Sequence, residues 1–176
     1  MRSPLFILAS AAAFTMAFAL PAAAAPTGDT IVTFEITAGT LDIVVPATAD
    51  LGDVAAGATS VSGQLGPVTV TDTRGALDAG WVVTVSSTAF TTGAATPAET
   101  IPASAVTYTP GAATATSGTA TFTPGTPDDL ATPITAFSAT DIVGNNSATW
   151  NPTITIALPP AAVAGVYTGT ITHSVA

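Results

Sequence analysis

Cysteine is absent from the chain, which excludes disulfides, thiol nucleophiles and thiolate metal sites together. A lipoprotein anchor is excluded as well, since that modification needs a cysteine at the cleavage point. Lysine is also absent, and the two arginines are Arg2 and Arg74. With a formal net charge of −9 there is no basic patch for phosphates. Nucleic acid and anionic lipid are therefore poor partners, because binding to either draws heavily on lysine and arginine. The one histidine is His173, and one histidine without cysteine cannot build a closed zinc site. Calcium ligands exist at Asp128, Asp129 and Asp141, but no Asp-x-Asp-x-Asp loop frames them. No serine stands in a Gly-x-Ser-x-Gly elbow, and a single strand-end histidine reads as structural or exposed rather than as a base. The adjacent carboxylates Asp128 and Asp129 lie on a proline-rich loop and read as a solvated turn rather than a glycosidase pair. The expectation is no catalytic residue, no metal and no cofactor.

The start of the chain has its own composition. Arg2 is followed by an uncharged apolar run through Leu5, Phe6, Ile7, Leu8, Phe14, Met16, Phe18 and Leu20, then Pro21 and alanines. A positive start, an apolar middle and a small-residue site describe a secretory signal peptide over residues 1–25, cut after Ala24 or Ala25. A membrane span over the same stretch is the alternative. Cleavage would leave residues 26–176 as one secreted, extracellular domain without a membrane span, a length that supports a single core.

After residue 26 no helical periodicity appears. Branched and aromatic residues alternate with threonine, and glycine, proline, asparagine and aspartate break the runs. Val32, Phe34 and Ile36 alternate with polar neighbours, and Leu41, Ile43 and Val45 follow a short turn, which predicts a hairpin. Val68 and Val70, a loop through Arg74 and Gly75, then Trp81, Val83 and Val85 predict a second hairpin. Further strands are expected over residues 105–109, 119–123, 134–139, 149–158 and 166–175. Threonine suits such strands, since its branched side chain favours the pleated backbone and its hydroxyl tolerates water. Many short strands with one apolar face each predict an all-β fold, an antiparallel β-sandwich of immunoglobulin-like type, with a closed barrel as the alternative. Asn145-Asn146-Ser147 fits a glycosylation pattern but reads more simply as a turn before Trp150.

Aromatic rings are few, and four stand as ligand-binding candidates: Trp81, Trp150, Tyr167 and Tyr108. Exposed rings can stack on sugars, whereas buried rings dominate cores. Trp81 shares its face with Val83 and Val85, which favours the core. Trp150 has the parity of Ile154, Ile156 and Leu158, and Asn151-Pro152 interrupts the strand between them. Tyr167 has the parity of Ile171, His173 and Val175.

The run Thr71-Asp72-Thr73-Arg74-Gly75, followed by Gly80-Trp81-Val82-Val83, resembles the first signature of the WxL domain of Gram-positive surface proteins. There a Thr-Asp-x-Arg-Gly turn leads into a Trp-x-Leu strand, and Val83 stands for the leucine. Trp150-Asn151-Pro152 and Gly165-Val166-Tyr167 are similar to the family's C-terminal segment, although His173-Ser174-Val175 stands where the second Trp-x-Leu motif would be. Asp72 and Arg74, two residues apart, share a strand face and read as a pair that orders the turn. The resemblance implies non-covalent association with peptidoglycan or another wall glycan, or with a partner surface protein. Leu158-Pro159-Pro160 superficially resembles a sorting signal, but no Thr-Gly, apolar span or basic tail follows. The alternative is a structural subunit of a surface layer or fibre built by strand addition.

Overall fold

A computed structural model describes residues 26–176, and the signal-peptide expectation lies outside the described residues. They divide into two units. Residues 26–35 form an extended, exposed stretch with no secondary structure, and residues 36–176 carry every strand.

The strands are β1 (Leu41–Val44), β2 (Ser60–Gln64), β3 (Val68–Asp72), β4 (Leu77–Ser87), β5 (Phe90–Thr91), β6 (Thr100–Ile101), β7 (Val106–Thr109), β8 (Ala113–Pro124), β9 (Asp128–Asp129), β10 (Ile134–Trp150), β11 (Thr153–Ala157) and β12 (Ile171–Val175). Two three-residue 3-10 turns are the only helical elements among the described residues. All pairings are antiparallel. The larger sheet runs β1-β3-β10-β4-β12 with β8 also on β10, the smaller runs β2-β11-β7-β9, and β5 and β6 form a short separate pair. The fold is the expected all-β antiparallel sandwich, with its larger sheet curled nearly into a barrel.

Strand β10 organises this sheet. Phe137 is bridged both to Val83 of β4 and to Pro124 of β8, and Ser147 both to Thr71 of β3 and to Ser117 of β8. One edge of β10 is thus taken by β8, and the other by β3 and β4 laid end to end. The expected hairpin between Val68–Thr73 and Trp81–Val85 is corrected accordingly. The two segments never pair, because the intervening Thr-Arg-Gly loop is an interruption in one long path along β10, not a reversal. Gly75, with φ +64°, takes there a backbone conformation that costs other residues more.

β10 also folds over itself. The Phe137 and Trp150 rings lie 4.7 Å apart and nearly parallel, whereas an extended strand would place residues 13 apart at roughly 40 Å. Bulges between Thr140 and Ser147 make the bend. The two halves of one strand therefore face each other across the core. Trp81 continues this aromatic stack, 6.3 Å from Phe137 and 6.2 Å from Phe122. Ile154, Ile156 and Val106 of the smaller sheet join the same buried cluster.

Two further expectations are corrected. Residues 32–37 form no strand, and β1 pairs with β3 instead of with them. Asn145-Asn146 is not a turn before a strand but part of the bulged middle of β10, and Asn146 is buried. The span 149–158 contains two strands rather than one. Pro152, which lacks an N–H, falls in the break between β10 and β11.

Candidate functional site

Trp81, Trp150 and Tyr108 are buried, with relative exposures of 1%, 0% and 0%. Their rings have no free face, which corrects their standing as ligand-binding candidates. Large apolar surface is better spent in the core when a neighbour can satisfy the one polar atom. Each ring finds such a neighbour, and the two resulting networks differ in where they lead.

The first network runs from the core to the half-buried Arg74. Trp81 donates from Nε1 to Asn146 Oδ1 at 2.9 Å, and Asn146 donates from Nδ2 to Asp72 Oδ2 at 3.3 Å. Arg74 closes the path with two bonds to Asp72, Nε to Oδ1 and Nη2 to Oδ2, both 2.9 Å, and a third to the Gly80 carbonyl. The Asp72 carboxyl is held below its ordinary value chiefly by the Arg74 bonds, which outweigh its burial. Asp72, Arg74 and Gly75 thus fix the interruption between β3 and β4, and Val83 is fully buried further along β4, opposite Phe137. These residues secure the path of the chain.

The second network leads out of the core. Trp150 donates from Nε1 to the Tyr108 hydroxyl at 3.1 Å, and that hydroxyl lies 3.0 Å from His173 Nε2. The Tyr108 and His173 rings meet edge to face, 5.6 Å between centroids. Three strands supply the three residues: β10, β7 and β12. On β12 the residues Ile171, His173 and Val175 turn inward while Thr172 and Ser174 are exposed, which aims the imidazole at the interior. Burial drives its pKa from the ordinary 6.5 down to about 4, and burial likewise pushes the Tyr108 hydroxyl up from 10 to about 12. Both groups are neutral across the ordinary pH range.

His173 also lines a cleft of about 390 Å³. Its walls include Val45, Leu51, Leu65, Phe90 and Ile171, and Thr48, Thr168 and Thr170 also line it. No residue lining it is charged. The wall at Gly169 is tight, since a Cβ there would stand 2.7 Å from the Phe90 ring, well inside contact distance. Leu51 and Phe90 also border a second cleft of about 290 Å³, lined by Asp50, Asp53 and Tyr167. Tyr167 is half-buried, and its hydroxyl donates to the carbonyls of Val163 and Ala98 at 3.0 and 3.3 Å. Of the four ring candidates, Tyr167 alone borders open space at either cleft.

The structure therefore brings together residues that the sequence did not mark as a site. His173 and Phe90 were the ones missed. The available signal was the inward parity of the only histidine, shared with Ile171 and Val175. Asp128 and Asp129 are exposed at the sheet edge, where Asp128 Oδ1 and Asp129 Oδ1 accept from neighbouring backbone amides. Among the described residues no group of three His, Cys, Asp or Glu is placed to hold a metal, and no helix is long and apolar enough to cross a membrane. No family model, no curated protein and no solved structure matches the chain.

Proposed function

We propose that the chain is a secreted, non-catalytic surface protein that associates non-covalently with the cell wall, holding a neutral segment of wall glycan or of a partner surface protein in the His173 cleft. The observation that carries this reading is the chemistry of the cleft: apolar and threonine residues around an uncharged imidazole, with no charged residue in the lining. Its volume lies within the range of small-molecule and loop-binding sites. Such a lining suits uncharged sugar or peptide, where the ring faces and methyl groups of the ligand meet apolar side chains. It is a poor setting for hydrolysis, which needs a nucleophile or a carboxylate pair. The WxL-like motifs point the same way, and the net charge of −9 argues against adhesion to an anionic wall by charge.

The test is co-sedimentation of the secreted protein with purified peptidoglycan. Retention should persist as salt rises, because no ion pair is expected at the site. A Leu51→Trp variant, which fills the cleft, should lose it. No retention of the wild-type protein at any salt would overturn the proposal.

A second reading, a subunit assembled by strand addition, has its own support. Ile31, Val32, Phe34 and Ile36 are 82–91% exposed, and β8 presents a 12-residue, mostly exposed strand with no charged residue. Edges of that kind are usually blunted by charge or proline to prevent pairing with other chains. Concentration-dependent assembly in sedimentation velocity, without any wall component, would favour this reading, and a strictly monomeric species would oppose it.

A further inference from the structure

We propose that His173 is the specificity-determining residue of the cleft, donating through Nδ1–H to the carbonyl oxygen of the acetamido group of an N-acetylated sugar. This rests on the reading of the cleft as the binding site.

The direction of the hydrogen bonds fixes the donor. An indole N–H can only donate, so the Tyr108 oxygen accepts from Trp150. The buried tyrosine proton has one other neighbour among the described residues, His173 Nε2 on β12, so it stays paired when that nitrogen accepts it through its lone pair. A neutral imidazole with Nε2 as acceptor carries its proton on Nδ1. The burial that depresses the imidazole pKa is consistent with this neutral form. No side-chain nitrogen or oxygen among the described residues is both sealed from solvent and unbonded. Nδ1 makes no hydrogen bond among the described residues, and His173 is one of the residues lining the cleft, where a ligand acceptor can meet it.

The surroundings select the acceptor. A carboxylate or phosphate would lose its hydration against Val45, Leu65 and Phe90 with no counter-charge, since Arg74 is engaged by Asp72. An ammonium group would find neither a carboxylate lining the cleft nor a free lone pair on the imidazole. A neutral carbonyl carrying a methyl group matches both halves of the site, its oxygen to the N–H and its methyl to the apolar wall. A glucose unit offers hydroxyls in place of that pair.

The test uses the protein labelled with ¹⁵N-histidine, whose single imidazole gives an unambiguous spectrum. Long-range ¹H–¹⁵N correlation should show Nδ1 protonated and Nε2 unprotonated. Three probes are then added separately: a β-1,4-linked N-acetylglucosamine tetramer, the corresponding glucose tetramer, and a neutral, end-blocked tetra-alanine peptide. A downfield Nδ1–H shift with the acetylated sugar but not the glucose tetramer supports the inference, and a shift with the peptide alone overturns it in favour of a polypeptide ligand. For the acetylated sugar, Tyr108→Phe, which frees the ring to change tautomer, should weaken affinity about fivefold, the worth of one neutral hydrogen bond. A protonated Nε2, equal shifts with the glucose tetramer, or no shift with the acetylated sugar would overturn the inference. If peptidoglycan retention survived such a result, the cleft would still be the binding site but would read its ligand by other contacts. Loss of retention as well would remove the broader proposal.

Discussion

Acid should destabilise this protein in a window set by one side chain. In the unfolded chain His173 takes up its proton around pH 6.5, whereas in the fold it does so only around 4. Between those values the unfolded state binds more protons, so falling pH favours unfolding. The contribution is complete above 6.5 and is lost as pH descends toward 4. Integrating that difference gives a loss of about 2 kcal/mol between about pH 7.5 and about pH 5, and about 3 kcal/mol by pH 4. The chain has one histidine and no cysteine, so apart from the terminal amine no other ordinary side chain changes charge in the upper part of this window. The assay is urea unfolding followed by tryptophan fluorescence at closely spaced pH, comparing wild type with His173→Gln. The variant should start less stable and then hold nearly constant down to about pH 5. Equal pH slopes in the two proteins, or an NMR titration midpoint for folded His173 near 6.5, would refute the account of a neutral, desolvated imidazole.

Other perturbations separate the two polar networks. Tyr108→Phe leaves the Trp150 N–H buried without an acceptor and should cost roughly 1–3 kcal/mol in urea unfolding. Asp72→Ala removes the partner of Arg74 and Asn146 and should cost a similar amount, about 1–3 kcal/mol. Because the Asp72 pKa is depressed in the fold, its contribution is present above the ordinary carboxylate pKa and lost as pH falls through the folded value, below most of the histidine window. An acid titration of wild type against Asp72→Ala should show their stabilities converging only at that low end. Phe137→Ala empties the centre of the aromatic stack and should cost roughly 3–5 kcal/mol, read by the same unfolding assay. Gly169→Val drives a side chain into the Phe90 ring and should displace the cleft wall, lowering peptidoglycan retention with a smaller loss of stability than Phe137→Ala.

Much of the fold could be read from side-chain parity. Trp81, Val83 and Val85 are buried together, as are Ile154 and Ile156, because a strand must turn alternate residues to one face whatever its partners. Pairing was harder to read. Adjacent apolar runs predict hairpins from proximity alone, yet the 17 residues of β10 take both β3 and β4 as partners from far along the chain. The residues 140–147, where β10 bulges, carry glycine and asparagine and therefore looked like a turn rather than the middle of a strand. The site was hidden for a related reason. His173 becomes informative only when β7, β10 and β12 converge, joining positions 65 and 42 residues apart through the Tyr108 hydroxyl.

The doubled-over course of β10 bears on how the chain acquires its structure in time. During N-to-C synthesis or export, β3, β4 and β8 emerge before their shared partner exists, and only short ladders such as β1–β3 and β5–β6 can close earlier. The enclosing sheet then has to form late, through contacts of high sequence separation, which is slow because loop closure precedes the reward. Until Trp150 has emerged, the uncharged threonine-rich edge of β8 stands without its natural neighbour, and that interval is when the polypeptide is most exposed to association with another copy of itself.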